Sequence, residues 1–267
     1  MAKPSPASRR AALQAQREAA ERARRRGRLI GAVLGAVAAL VILAIVVVQL
    51  NQDDDATAPV ATGSQLAVPH AAPDGRGITL APTPAGKPLV VVIEDYQCPW
   101  CKVAEQSIGK QVQALADKGE VGHEVRSIAL LDVMLKNDAS ERANRAAACA
   151  DVAGHYAAYR DAVFAHQPEK EGAGYTDEQL RVAIPQQAGI TGDALAGFQT
   201  CYDQRRTSGH VQGVLDAARA AKIDDSTPQY WVAGADGALR TKLDLEQLMG
   251  TSDPTEQQVL EAIRAAA

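Results

Sequence analysis

Apolar and polar positions alternate in different ways along this chain, and each pattern predicts an element. Leu29 to Leu50, LIGAVLGAVAALVILAIVVVQL, is a run of twenty-two residues with no charge and one polar side chain, Gln49. As a helix it would measure about 33 Å, enough to cross a hydrocarbon core of about 30 Å. No face of it is polar, as a core helix of a globular domain requires. Pro88-Leu89-Val90-Val91-Val92-Ile93 is a shorter continuous apolar run behind a Pro/Gly segment. It predicts a central strand buried on both faces, hence a sheet with helices on both sides. Ala104, Ile108, Val112 and Leu115 then recur at helical spacing until Lys118-Gly119 supplies a stop. His123 to Leu131, HEVRSIALL, reads as the next strand and completes a β-α-β unit with an expected right-handed crossover. Residues 140–222 are helical in pattern throughout. Within them Thr176-Asp177-Glu178-Gln179 has capping-box spacing, and Pro185 should kink or end the helix that follows. Thr227 to Val232, Gly234 to Gly237 and Ala238 to Arg240 read as strand, turn and strand, and a last helix runs from Pro254 to the end. The predicted class is α/β, laid out as β-α-β, a helical insertion, then β-β-α.

Composition narrows the class further. The chain has 267 residues, 28 Lys and Arg against 32 Asp and Glu, and four Cys, which allows one or two domains and excludes a disulfide-dense miniprotein. The formal charge of −4 averages two unlike pieces. Residues 1–28 hold nine Lys and Arg against Glu18 and Glu21, a net +7, which leaves −11 for the rest. Arg22, Arg24, Arg25, Arg26 and Arg28 precede the apolar run, and Asp53, Asp54 and Asp55 follow it. The positive-inside rule therefore predicts a single-pass anchor at 29–50, with the basic tail 1–28 in the cytoplasm and the remainder outside the cell membrane. Beside such a span the basic tail is an orientation signal rather than a nucleic-acid site. A cleaved signal is the alternative, but its apolar core is usually about 7 to 15 residues, and Ala56-Thr57-Ala58 is the one nearby small-x-small segment. Residues 51–77 are rich in Asp, Ala, Pro and Gly without apolar periodicity, and read as a flexible linker with a reach of about 30 Å. Residues 78–267 form the expected folded domain.

The cysteines carry the chemistry. Cys98-Pro99-Trp100-Cys101 sits where the predicted strand turns into the helix. With Cys98 as N-cap, Pro99 occupies the first helical position, where its missing N–H is not needed. The Cys98 sulfur then faces free backbone N–H groups and the positive end of the helix dipole, both of which favour a thiolate. Cys101 lies on the same inward face as Ala104 and Ile108, shielded and placed to resolve a mixed disulfide. A structural disulfide across so short a loop gains only about 2 kcal/mol from loop-closure entropy. Zinc normally needs four ligands, and the histidines at 70, 123, 155, 166 and 210 lack ligand spacing. A redox dithiol accounts for strand, turn and proline together. Cys149 and Cys201 lie fifty-two residues apart in the helical block. In an oxidising compartment an even count suggests that they pair as a structural disulfide, two buried free thiols being the alternative.

Taken together, EDYQCPWC after a hydrophobic strand, the helical insertion with its Ala147-Ala148-Cys149-Ala150 stretch, and Thr227-Pro228 before a late strand resemble the thioredoxin superfamily. The resemblance is to the membrane-anchored, DsbA-like thiol:disulfide oxidoreductases of actinobacteria, and it covers about residues 78–267. It implies a thioredoxin fold with the insertion at about 140–222, Cys98 as nucleophile and Cys101 as resolving thiol. It also implies a cis-proline at Pro228 opposite the dithiol, with the Thr227 backbone available to an extended substrate segment. Pro99 and Trp100 support the site. DsbA has Pro-His between its cysteines, and Trp100 cannot supply the charge of that His. The Cys98 pKa is therefore expected below about 8.5 and above about 3.5, and the potential less oxidising than about −120 mV.

The resemblance implies an extracytoplasmic enzyme that introduces disulfides into reduced exported proteins and is reoxidised by a membrane partner of the VKOR or DsbB type. No metal or organic cofactor is implied. Two other readings fit the same residues: a reductase or isomerase, for example of apocytochrome c thiols, and a non-catalytic binding or chaperone domain. Glu94 and Asp95, just before the turn, read either as proton acceptors for Cys101 or as exposed acids at a strand end.

Overall fold

The computed structural model describes residues 64–267 apart from 224, 235, 251 and 252. The predicted tail 1–28, the span 29–50 and residues 51–63 lie outside the described residues. Among the described residues no helix is long and apolar enough to cross a membrane.

Five strands form one sheet in the order β1-β3-β2-β4-β5: β1 (Ile78–Ala81), β2 (Leu89–Glu94), β3 (Gly122–Ser127), β4 (Gln229–Ala233) and β5 (Leu239–Lys242). The continuous apolar run becomes β2, buried at every position in the centre of the sheet. It pairs parallel with β3 and antiparallel with β4, while β1 and β5 close the two edges in antiparallel register. The helices are α1 (Pro99–Ala104), α2 (Lys110–Asp117), α3 (Leu130–Leu135), α4 (Ala139–Val152), α5 (Tyr156–Ala165), α6 (Ile184–Gln187), α7 (Gly192–Asp203), α8 (Ser208–Ala220), α9 (Leu245–Met249) and α10 (Glu256–Ala266). Successive strand residues point to opposite faces, which sorts β2 between two cores. Val90 and Val92 pack with Ile108, Val112 and Leu115 of the helix after the CxxC turn and with Val259 and Ile263 of α10. Leu89, Val91 and Ile93 pack with Val214 and Ala218 of α8. A third core fills the insertion, built from the small side chains of α4 against Tyr159, Phe164, Leu180 and Phe198.

Three expectations change. The edge strand β1 was absent from the predicted layout; its four residues lie between Gly77 and Pro82, pair with β3 on one side and meet residues 70–72 on the other, where Thr79 N donates to His70 O (2.7 Å). The predicted strand His123 to Leu131 stops at Ser127: the Ile128 N–H makes the last ladder bond, to Glu94 O (2.8 Å), and α3 begins at Leu130, where the Leu131 N–H donates to Asp95 Oδ2 (2.9 Å). The linker predicted over 51–77 is packed from residue 64 onward. Leu66 N donates to Arg206 O (2.8 Å), His70 N donates to Asp151 Oδ2 (2.9 Å), and Val68 and Ala72 are buried. Isolated apolar residues and backbone pairing hold this strap, and neither produces a periodic pattern.

The predicted capping box forms, with Gln179 N donating to Thr176 Oγ1 (3.1 Å) and Thr176 N to Gln179 Oε1 (2.9 Å). Pro185 sits just beyond a π-helical turn, Gln179–Ala183, which absorbs the missing N–H, and α6 ends two residues later. The last helix starts after Pro254, on a second capping box made by Thr255 and Gln258.

Cys149 of α4 and Cys201 of α7 are joined by a disulfide with Cα atoms 5.9 Å apart. Loop-closure entropy for a bridge of this span is worth up to about 4 kcal/mol. A Cys149→Ala, Cys201→Ala double variant of the full-length protein should lose about 2 to 4 kcal/mol in equilibrium urea unfolding. A loss below about 0.5 kcal/mol would show that the bridge does not stabilise the insertion.

Candidate active site at the Cys98–Cys101 turn

Strand β2 delivers the chain to the turn, and the turn is closed by backbone bonds. Cys98 N donates to Asp95 O (3.0 Å), and Cys98 O accepts from Cys101 N (3.1 Å) as the first helical bond. Cys98 has extended N-cap geometry (φ −76°, ψ 118°), and Pro99 takes the first helical position. Both cysteines are free thiols. Cys98 is 6% exposed and Cys101 2%, whereas Trp100 stands 65% exposed beside them. The Cys98 Sγ lies 3.5 Å from Thr227 O, and the Thr227–Pro228 peptide is cis. The turn therefore brings together Cys98, Pro99, Trp100, Cys101, Thr227 and Pro228, while Cys149 and Cys201 are bonded to each other in the insertion.

The two sulfurs are pushed in opposite directions. Cys98 falls below the usual thiol value to about 6: the hydrogen bond from Cys101 lowers it most, burial opposes this, and the N–H groups of Trp100 and Cys101 add to the lowering. Cys101 is pushed well above the usual value, first by burial and then by its bond to Cys98. Hydrogen bonding wins at Cys98 because the Cys101 thiol, then Thr227, then the N–H groups of the helix terminus all bond its sulfur, while Cys101 is one turn further in and has the Asp95 N–H at 3.4 Å. The Trp100 side chain is not among the groups that set the acidity of Cys98; its backbone N–H is. Among the described residues no group of three His, Cys, Asp or Glu side chains is placed to hold a metal ion.

Around the turn lies a polar frame. Neither Glu94 nor Asp95 is an exposed acid; they are 1% and 0% exposed. Glu94 receives two bonds from Arg160 of α5, Nε to Oε1 (2.8 Å) and Nη2 to Oε2 (2.5 Å), and Arg160 Nη2 also donates to Glu105 Oε2 (2.5 Å). Asp95 accepts from Gln97 N (2.8 Å), Ser140 Oγ (2.5 Å) and Leu131 N (2.9 Å). Burial nevertheless raises its pKa to about 6, because desolvation outweighs those three donors. Gln97 Nε2 donates to Asp132 Oδ1 (2.8 Å) at α3, and Tyr175 Oη donates to Tyr96 O (2.6 Å). Gln167, Tyr175, Arg160 and Ser140 gave no signal in the sequence, being 45 to 79 residues from these partners and unremarkable polar residues in a helical stretch. Glu94, Asp95 and Gln97 were visible as polar residues at the end of a buried strand, and their burial brings the partners that buried polar groups require.

The acidity of Cys98 has a direct reading. Iodoacetamide alkylation of the reduced full-length protein should be confined to Cys98, with a rate that rises through pH 6 and is level by about pH 7.5. A rate still climbing to pH 8.5 to 9, as for an ordinary thiol, or equal labelling of Cys101, would contradict the geometry.

A family model described as Thioredoxin matches residues 83–248. Among solved structures, MdbA of Actinomyces oris, a thiol-disulfide oxidoreductase, aligns with a TM-score of 0.58 at 17% identity, covering 78% of this chain and 96% of that one. MdbA of Corynebacterium diphtheriae aligns at 0.55 with 13% identity, covering 78% and 98%. Oxidised BdbD of Bacillus subtilis aligns at 0.53 with 18% identity, covering 77% and 97%. A search of curated proteins finds no match. At these identities the structures share the fold, and the family model spans more than half of the sequence. With the CxxC at the start of its helix and the cis-proline beside it, the chain belongs to the thioredoxin family.

Proposed function

We propose that the protein is a membrane-anchored thiol:disulfide oxidoreductase that introduces disulfides into exported proteins through Cys98 and Cys101. The observation that carries this reading is the placement of the two thiols, Cys98 at the helix start beside Thr227 and Cys101 buried one turn beneath it, which favours a thiolate at the first and a thiol at the second. In the oxidised enzyme a substrate thiolate attacks Cys98 Sγ, the Cys98–Cys101 bond breaks, and Cys101 leaves and takes up a proton. A second substrate thiolate then attacks the substrate sulfur of the mixed disulfide and expels Cys98 as a thiolate. The substrate has lost two electrons and the enzyme has gained them. A stable Cys98 thiolate is a good leaving group and stabilises the reduced enzyme, so it drives transfer toward substrate oxidation.

Residues 29–50 serve as the anchor, with the basic tail cytoplasmic and the catalytic domain outside, on the charge asymmetry that flanks the apolar run. The Cys149–Cys201 disulfide suits that oxidising side. Reoxidation falls to a membrane partner of the VKOR or DsbB type that passes the electrons on to quinone. Trp100, Val103, Val133 and Met134 are the large apolar side chains that stand exposed among the described residues. Trp100 and Val103 ride on the CxxC helix, and Val133 and Met134 on α3, which Asp95 and Gln97 fasten to the turn. An exposed apolar surface beside the dithiol suits a protein substrate.

A Cys101→Ala variant expressed in the native cells should accumulate mixed disulfides between Cys98 and exported proteins, and the oxidised full-length enzyme should refold a reduced test protein in a Cys98-dependent manner. Absence of adducts on Cys98, or refolding that survives Cys98→Ala, would sink the proposal.

A further inference from the structure

Helix α5 reaches the dithiol turn at two points. Arg160 grips Glu94 and Glu105, and Gln167, two residues beyond the helix end, lays its amide against the backbone of the turn itself. Gln167 Nε2 is 2.9 Å from Tyr96 O and 2.9 Å from Cys98 O. The latter is the carbonyl of the nucleophile's own residue, and it also accepts the N–H groups of Cys101 (3.1 Å) and Lys102 (3.4 Å).

A carbonyl oxygen is the negative end of a dipole. One that lies beside a sulfur opposes negative charge on it, and a donor on that oxygen offsets the opposition. Cys98 Sγ meets such a carbonyl in Thr227 O at 3.5 Å, and the carbonyl of Cys98 itself belongs to the same residue and closes the same turn. No charged side chain stands among the principal influences on Cys98. Hydrogen-bond donors therefore have to supply what a neighbouring cation would supply elsewhere. We propose that Gln167 is a positioning residue for the dithiol chemistry: its amide fixes the Cys98 carbonyl in the turn, draws charge away from it, and so favours the anionic sulfur.

The inference rests on the redox reading of the turn, but its test does not require substrate. In the full-length protein, Gln167→Met removes the donor while keeping the side-chain length, and Gln167→Ala removes donor and stem together. The position is half-buried and accommodates either side chain. Thiolate absorbance against pH should show the Cys98 titration displaced upward by about 0.5 to 1 unit. The equilibrium constant for reduction of the Cys98–Cys101 disulfide by glutathione at pH 7 should fall about threefold or more, since a weaker thiolate stabilises the reduced form less. Tyr175→Phe, which strips a donor from Tyr96 O and leaves Cys98 O bonded, should shift neither reading. Wild-type values in both Gln167 variants would overturn the inference. Equal shifts in Tyr175→Phe would overturn it as well, because general anchoring of the turn would then explain them. Loss of refolding activity in the wild-type enzyme would defeat the oxidase reading instead, and leave these thiol measurements standing.

Discussion

The guanidinium of Arg160 is 3% exposed and lies between two carboxylates, Glu94 at 2% and Glu105 at 10%. Taking each of these ions out of water costs several kcal/mol, and their mutual attraction returns an amount of similar size. The cluster therefore adds little net stability. What it fixes is place: Glu94 ends the central strand, Glu105 belongs to the helix that carries both cysteines, and Arg160 belongs to the insertion. No one of the three can shift without leaving a buried charge unpaired, at a cost of about 3 to 5 kcal/mol. The helix accommodates this through the π-helical turn Glu105–Gly109. A Cβ on Gly109 would lie 2.1 Å from Glu105 Oε2, so glycine is what allows Glu105 to fold back toward Arg160.

Within that frame the chemistry depends on a contest between burial and hydrogen bonding. Burial alone would raise both thiols, since a thiolate is poorly solvated in an apolar setting. At Cys98 the helix N-terminus, the Cys101 thiol and the surrounding donors overcome it; at Cys101 they do not. Without a histidine between the cysteines, the difference between the two sulfurs comes from where each sits along one helical turn and from what satisfies the backbone around them. The insertion supplies part of that backbone satisfaction through Gln167 and Tyr175, and Ser140 donates to the carboxylate of Asp95. It thus acts as part of the redox site as well as a separate packing unit.

The features legible in the sequence were those written locally. The strand at Leu89–Glu94 is one uninterrupted apolar run, the CPWC turn carries its own helix-start signal in Pro99, and the Thr176 capping box is a four-residue pattern. The edge strand Ile78–Ala81 was not legible, because it is short, partly buried and bounded by Gly and Pro. The strap from residue 64 escaped for a related reason: its contacts to Arg206 and Asp151 lie 81 or more residues away and use backbone atoms. The frame of the site was hidden most completely. Arg160 and Gln167 look like ordinary polar helix residues until the fold brings them to partners 66 and 69 positions earlier. Glu94 and Asp95 were visible as acids, but their burial follows only once the flanking helices are known to cover the strand end.

An enzyme that donates disulfides must itself be kept oxidised between turnovers. The most direct measurement of this is the resting redox state of Cys98 and Cys101 in growing cells, fixed by rapid acid quench and read by alkylation mass shift on the full-length protein. Most molecules should carry the Cys98–Cys101 disulfide, recharged between rounds of substrate oxidation. A steady-state population held mainly as the dithiol would contradict the oxidase reading.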